Sequence, residues 1–445
     1  MVVKKRQLDE DNFVVGLDIG TTKIVTVIGQ RGEDGRVTVL GHGKGESTGV
    51  QHGLVINLDK TIAGIQTSME AAYQRCPPNY EIKEAYVGIA GRHIKNIEYK
   101  HVVTRISKRD KPIRYEEIEQ MRLDLLNISV PADERIIDVI PQKFTIDREH
   151  TAVDPVGMIG ELIEGCFQIV TAKYADVKKI IYCVEQTGVK FKEIVLEPVA
   201  SGLACLQEEE KKQGVALIDI GGGTTDLAIF LDGAPVYAKV IPIGGNIITH
   251  DIAAVCKIAE EQAEILKIRY GSCVMEKTNP DNFIRIAKRN ATQKIQISEH
   301  MLSQIIHARV SNDMLLPIKT AIENSGYKDK IVMGHGIVLT GGGAKLKHLL
   351  DLTRFMFDVP VRVGTPEVGF DRSMSTELRD SIYSTSLGLL KFGIEKQEQN
   401  NPAAEENMNT TSLTPEIDRT SPWNKAKEIF DKTTKILGDI LNQSN

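Results

Sequence analysis

Asp18 and Asp219 each come near the end of an apolar run, and each is followed by a glycine-bearing turn and two threonines. Residues 15–22 read Val-Gly-Leu-Asp-Ile-Gly-Thr-Thr, and residues 216–225 read Ala-Leu-Ile-Asp-Ile-Gly-Gly-Gly-Thr-Thr. At Gly20, Gly221, Gly222 and Gly223 no β-carbon stops backbone N–H groups from converging, and such a nest binds phosphate oxygens. The hydroxyls of Thr21, Thr22, Thr224 and Thr225 add donors, and Lys23 adds a positive charge. Two carboxylates beside a phosphate repel it unless a cation lies between them. Mg2+ suits that place, held mostly through water and shared with the phosphates. Asp18 and Asp219 are its expected holders. One Gly-Thr turn alone reads as an ordinary hairpin. Two near-identical copies point to a site.

A third glycine turn runs from Gly336 through Thr340-Gly341-Gly342-Gly343-Ala344-Lys345. A strand entering three glycines and then a helix allows a flat or anionic ligand to approach a helix N-terminus. The P-loop and dinucleotide patterns, GxxxxGK[ST] and GxGxxG, do not occur.

These turns need strands and helices to position them. Phe13–Ile19 and Lys23–Ile28 read as a strand pair, and Val215–Ile220 with Thr225–Leu231 repeats it. Val37–Leu40, Glu84–Ala90, Arg135–Phe144, Phe191–Leu196 and Gly336–Leu339 also read as strands. Apolar spacing predicts helices over Asp59–Arg75, Tyr115–Leu126 and Ala175–Thr187, and long ones over Ile248–Arg269 and Glu299–Ser325. The fold class is therefore α/β. The echo half a chain apart predicts two duplicated domains facing each other.

Composition narrows the class. Of 445 residues, 41% are hydrophobic and 26% charged, so global disorder is out. The net charge of −5 gives no general attraction to nucleic acid. No segment approaches the length of a transmembrane helix, and Met1–Asn12 lacks the apolar core of a signal peptide. The six cysteines are unpaired by spacing and the histidines scattered, so neither disulfides nor a structural metal is expected. A soluble cytosolic body is the expectation.

After Gly393 the composition shifts. Glu395–Ser421 has no aromatic residue and a surplus of Asn, Thr, Ser and Glu, and reads as a flexible linker. Beyond it, Trp423, Ala426, Ile429, Phe430, Ile436, Leu437, Ile440 and Leu441 recur at helical spacing, with lysines beside the stripe. Ser421 is a plausible N-cap and Pro422 suits the first helical position. An amphipathic helix with Trp and Phe on one side suits a membrane interface. The alternative is a helix that docks on its own body or in a partner groove.

Gly16-Leu-Asp-Ile-Gly-Thr-Thr-Lys23, Asp219-Ile-Gly-Gly-Gly-Thr-Thr-Asp226 and Thr340-Gly-Gly-Gly343 resemble the phosphate-1, phosphate-2 and adenosine motifs of the actin/hexokinase/chaperone ATPase superfamily. Glu197-Pro-Val-Ala-Ser-Gly-Leu-Ala204 and Tyr383-Ser-Thr-Ser-Leu-Gly-Leu-Leu390 resemble its two connecting helices. More narrowly, Tyr86-Val-Gly-Ile-Ala-Gly91, Val139-Ile-Pro-Gln142, Asp154-Pro-Val-Gly-Met158, Gly244-Gly-Asn246, Glu264-Ile-Leu-Lys-Ile-Arg-Tyr-Gly271 and Val361-Arg-Val-Gly364 resemble the FtsA family of bacterial cell-division actin homologues. The stretch Glu161–Gln168 departs from the more β-branched, basic family strand.

The resemblance implies ATP and Mg2+ as cofactors, with at most slow hydrolysis rather than metabolic turnover. It implies that Glu197 positions the attacking water, and that Glu264, Lys267, Gly341, Gly342, Gly343 and Lys345 hold the nucleoside. On a helix Glu264 and Lys267 share a face, and their plain reading is an intrahelical ion pair. The implied architecture is an actin-like, ribonuclease H-like pair of domains around a nucleotide cleft. Residues 1–84 and 173–203 would form domain 1A, and 85–172 an inserted subdomain 1C. Residues 204–243 and 312–393 would form domain 2A, and 244–311 subdomain 2B. Residues 394–421 would be the linker and 422–445 the membrane-targeting helix. The implied partners are an FtsZ-type tubulin homologue through 2B, later division proteins through 1C, further copies of the chain in a polymer, and inner-membrane lipid. The implied place is the cytoplasmic face of the cell membrane at the division site. The runner-up is a pilus-assembly actin homologue, and a metabolic ATP-dependent enzyme comes after it.

Overall fold

Val14–Ile19 and Val215–Ile220 are buried at every position, which is why both runs, Asp18 and Asp219 apart, are apolar rather than alternating. The computed structural model describes residues 13–77, 82–287 and 294–399. Each buried strand is the centre of a five-stranded sheet. In the first, Val14–Ile19 pairs antiparallel with Lys23–Arg31, which pairs antiparallel with Val37–Glu46. On its other side it pairs in parallel with Glu84–Ile89, followed by Lys190–Leu196. The second sheet repeats this order. Val215–Ile220 leads antiparallel to Thr225–Leu231 and Ala234–Ile241, and in parallel to Ile337–Thr340 and Val361–Val363. The sequence echo is thus a repeat of topology.

Two helices lie between the sheets. Glu197–Cys205 packs on the second sheet, where a β-carbon on Gly202 would stand 2.4 Å from the Phe230 ring. Ser384–Gln399 packs on the first, where one on Gly16 would stand 2.7 Å from the Ser386 carbonyl oxygen. The helices meet closest where Gly388 faces Ala200, with room for no side chain: an added β-carbon would lie 1.8 Å from the Ala200 carbonyl oxygen. One apolar cluster, including Val14, Tyr86, Phe230 and Leu387, spans both halves here.

The insert is a four-stranded antiparallel sheet of Ile94–Thr104, Leu162–Lys173, Glu134–Ile146 and His150–Ala152, covered by the helix Tyr115–Leu126. Phe144 and Phe167 meet edge to face at 5.6 Å in its separate core. The expected boundary at residues 84/85 shifts, because Glu84–Ile89 pairs in parallel with Val14–Ile19 and so belongs to the first sheet.

Three helical expectations change. Ile248–Arg269 divides into Gly245–Cys256 and Glu260–Tyr270, because Lys257 takes a left-handed conformation at φ 55° and ends the first. Glu299–Ser325 stays helical but widens into a π turn over Val310–Leu315. The last helix runs to Gln399, into the expected linker, because buried Ile394 continues its apolar face. The rest of that linker and the expected terminal helix, 422–445, lie outside the described residues. Among the described residues no helix is long and apolar enough to cross a membrane.

Candidate functional site

A cavity of about 450 Å³ opens between the halves, and all three glycine turns border it. The first turn, Gly20–Lys23, joins the paired residues Ile19 and Ile24. The second, Gly221–Thr224, joins Ile220 and Thr225 and is closed by the Gly221 N–H donating to the Thr224 carbonyl at 2.9 Å. The two turns touch across the cleft. The third follows Thr340, with Gly341 at φ 80°. There a β-carbon would stand 2.2 Å from Asp219 Oδ1, so only glycine fits.

Asp18, Gly20, Thr21, Thr22, Lys23, Glu197, Asp219, Gly221, Gly222, Gly223 and Thr224 all line this cavity, as do Glu264, Lys267, Gly341, Gly342, Gly343 and Lys345. Thr225 does not. Its side chain is buried in the second half, where its hydroxyl donates to the Ile243 carbonyl at 2.7 Å. Its expected phosphate role is withdrawn.

The cluster also contains a carboxylate to which the sequence reading gave no role. Asp226 lies two residues beyond Thr224, on the strand that the turn leads into, and its Oδ2 accepts from the Thr224 hydroxyl at 2.9 Å. Its buried Oδ1 has no hydrogen-bond partner among the described residues. Strand alternation was the signal: positions i and i+2 share a face. Asn246 and Ser381 border the cavity too. The Asn246 N–H donates to the Gly222 carbonyl at 2.8 Å, and the Ser381 hydroxyl to the Gly341 carbonyl at 2.9 Å.

Asp18, Asp219 and Glu197 therefore gather near Lys23, with Asp226 beside Asp219. Burial raises Asp18 to about 6, with Lys23 pulling it down and Asp219 pushing it up. Burial also raises Asp219, against hydrogen bonds from Ser201 at 2.6 Å and Thr385 at 3.2 Å. Burial and then Asp219 hold Asp226 well above the usual carboxylate range. Glu197 is likewise raised, by burial and then by Asp18, Asp226 and Asp219. Burial lowers Lys23, whose ammonium donates to the Ile382 carbonyl and sits 5.1 Å over the Tyr383 ring. The donor set is all oxygen and short of positive charge, which is the chemistry of a hard divalent cation site.

At the other end, Glu264 and Lys267 form the intrahelical ion pair at 2.7 Å. Lys267 Nζ also donates to the Gly245 carbonyl at 3.0 Å and to Thr249 Oγ1 at 2.8 Å. Lys345 pairs with Asp380 at 2.6 Å. Ile268, Leu346 and Ile382 supply apolar wall beside these polar groups. The cavity thus has a polar, glycine-lined end for an anion with its cation, and an amphipathic end for a flat group.

A family model described as cell division protein FtsA matches residues 216–388, and one described as an SHS2 domain inserted in FtsA matches 91–171. The cell division protein FtsA of Pseudomonas aeruginosa is 34% identical over 385 residues, covering 86% of this chain and 90% of that one. The chain belongs to the FtsA family. It is a cell-division actin homologue, with an SHS2 insert. Its fold is similar to that of a chain in the PilM–PilN type IV pilus biogenesis complex, with a TM-score of 0.58 and 17% identity, covering 86% of this chain and 98% of that one. It is also similar to MreB5 of Spiroplasma citri bound to ADP, with a TM-score of 0.53 and 15% identity, covering 91% and 100%. These likenesses concern fold, so the actin-like expectation holds and the pilus alternative keeps only a shared architecture with this FtsA-family chain.

Proposed function

We propose that this chain binds ATP with Mg2+ between its two halves and acts as a membrane-attached, self-assembling component of the division machinery. The observation that carries the nucleotide reading is the meeting of the first and second turns beside three buried aspartates, Glu197 and Lys23. Backbone N–H groups of both turns, with Thr21, Thr22, Thr224 and Lys23, would hold the phosphates. Asp18, Asp219 and Asp226 would hold Mg2+, mostly through water. The orphaned Asp226 Oδ1 and the shortage of positive charge fit that ion. The ion would supply charge neutralisation at the phosphates. Glu264, Lys267, Lys345 and the apolar wall would hold the nucleoside.

Glu197 begins its helix beside the acid cluster and would hold a water rather than act as a strong base, since burial and three neighbouring carboxylates favour its neutral form. Turnover would be slow, and the nucleotide would govern domain closure and polymer state. Family membership supports the rest of the reading. The helical region 244–311 would meet an FtsZ-type tubulin homologue, and the insert would meet later division proteins. Residues 422–445 would attach the polymer to the cytoplasmic face of the membrane at the division site. Calorimetric titration of the full chain with ATP, with and without Mg2+, tests the core of this proposal. Micromolar binding that depends on Mg2+ is the expected result, and no binding in either condition would overturn it.

A further inference from the structure

One contact of the insert with the second half of the molecule centres on a single residue. Ala238 lies in Ala234–Ile241, the edge strand of the second sheet, and is buried. Its carbonyl accepts from Asn96 Nδ2, and its N–H donates to Gln168 Oε1 at 2.9 Å. Asn96 and Gln168 stand on the neighbouring insert strands Ile94–Thr104 and Leu162–Lys173. Two amide side chains thus take the place of a missing β-partner, satisfying both backbone groups of an edge residue. Nearby, the Tyr327 hydroxyl donates to the Gln142 carbonyl at 2.5 Å, and Val153 of the insert packs against the second core.

That edge strand leads straight to the cavity. Just past it, the Ile243 carbonyl holds Thr225, and the N–H groups of Gly245 and Asn246 donate to the Gly221 and Gly222 carbonyls at 2.9 and 2.8 Å. The insert is itself joined through the chain to the first half, by Glu84–Ile89 on one side and the helix Tyr174–Glu185 on the other. A continuous path therefore runs from the first half, through the insert and Ala238, to the back of the second turn.

We propose that Asn96 and Gln168 form a clamp between the halves that keeps the second turn against the first, so that the docking of the insert sets how long the cleft retains its ligand. This rests on the nucleotide reading. Hydrogen bonds weaken steeply once their geometry is lost. Rotation of the second half away from the first breaks both amide bonds unless the insert follows it. Binding linkage is reciprocal: whatever lifts the insert from Ala238 loosens the nucleotide, and bound nucleotide strengthens the docking. Asn96 and Gln168 are thus positioning residues that touch no ligand.

The test uses the full chain. Gln168→Met removes the acceptor at similar volume, Asn96→Leu removes the donor, and Gln168→Glu keeps an acceptor for the Ala238 N–H. The readouts are the release rate of a fluorescent ATP analogue with Mg2+, and amide hydrogen exchange over residues 221–226 without nucleotide. The double variant should release the analogue ~10-fold faster and exchange faster over 221–226, while Gln168→Glu stays near the parent protein. Unchanged release and exchange in a double variant whose insert keeps its own protection would overturn the clamp. If that variant loses protection throughout the insert, Asn96→Leu alone supplies the same comparison. Failure of the parent protein to bind the analogue would reject the nucleotide reading instead, and the exchange over 221–226 would still decide the clamp.

Discussion

Gly222 lies against Thr22 across the cleft, so closely that a β-carbon on the glycine would stand 2.3 Å from the threonine methyl. Beside them, a β-carbon on Gly223 would stand 2.3 Å from the Thr21 hydroxyl. Side chains on the first turn fit against bare backbone on the second. Closure of the halves depends on that complementarity, and so does any site built from both turns.

A wedge at this contact should hold the halves apart. Gly222→Val is expected to weaken ATP binding at least ~10-fold, about 1.4 kcal/mol. Gly222→Ala should do less, and adding Thr22→Ser, which removes the opposing methyl, should recover part of the loss. Calorimetry of the four proteins checks this. Equal affinity for Gly222→Val and the parent protein would remove the second turn from the site.

The acid cluster makes stability depend on pH in a definite direction. Burial raises Asp18 to about 6, above the roughly 3.9 of an unfolded aspartate. Between those values the folded protein binds more protons than the unfolded chain. The stability this group contributes is fully present below about pH 4 and is lost as pH rises through about 6. A cation that needs ionised carboxylates competes with those protons. Mg-ATP should therefore raise the melting temperature more at pH 8 than at pH 5.5. A shift that is the same at both would show that the carboxylates do not hold the ion.

Glu197→Ala should retain ATP binding and lose whatever hydrolysis the parent protein has. Loss of binding with an unchanged fold, read by circular dichroism, would give Glu197 a part in holding the ligand rather than the water.

Removal of residues 422–445 should leave the body folded and ATP affinity unchanged while abolishing liposome pelleting. As the expected amphipathic helix, this segment would bury few large side chains, so attachment should also need self-association, which can raise avidity ~10²–10⁴-fold. Phe430→Glu should nearly match the truncation by putting a charge in the expected buried face. Pelleting of the truncated chain equal to that of the full chain would leave the helix a docking element.

The turns were legible because glycine, threonine and aspartate carry their geometry in their types. The error at Thr225 came from aligning letters instead of strands. Each turn spans four residues between a paired position on either side, Ile19 with Ile24 and Ile220 with Thr225. Matched by that pairing, Thr225 corresponds to Ile24, a core position, and Thr224 to Lys23. The same pairing puts Asp226 opposite Asp219, which the strand period would have revealed. The break at Lys257 was not legible, since neither glycine nor proline marks it. The contact of Gln168 with Ala238 joins residues 70 apart in sequence and has no local signature.

Glu197 and Ala200 share a helix, three residues apart, and Ala200 faces Gly388 at the close crossing of the two helices. A rise of ~1.5 Å per residue places the carboxyl-bearing residue only ~4.5 Å along the axis from that crossing. If the halves turn about this point as about an axle, displacement grows with radius. The glycine turns swing at the rim while Glu197 stays near the hub. The surface proposed to grip the phosphates and the group proposed to hold the water would thus be decoupled in amplitude: the cleft could open widely enough to exchange its contents without disturbing Glu197.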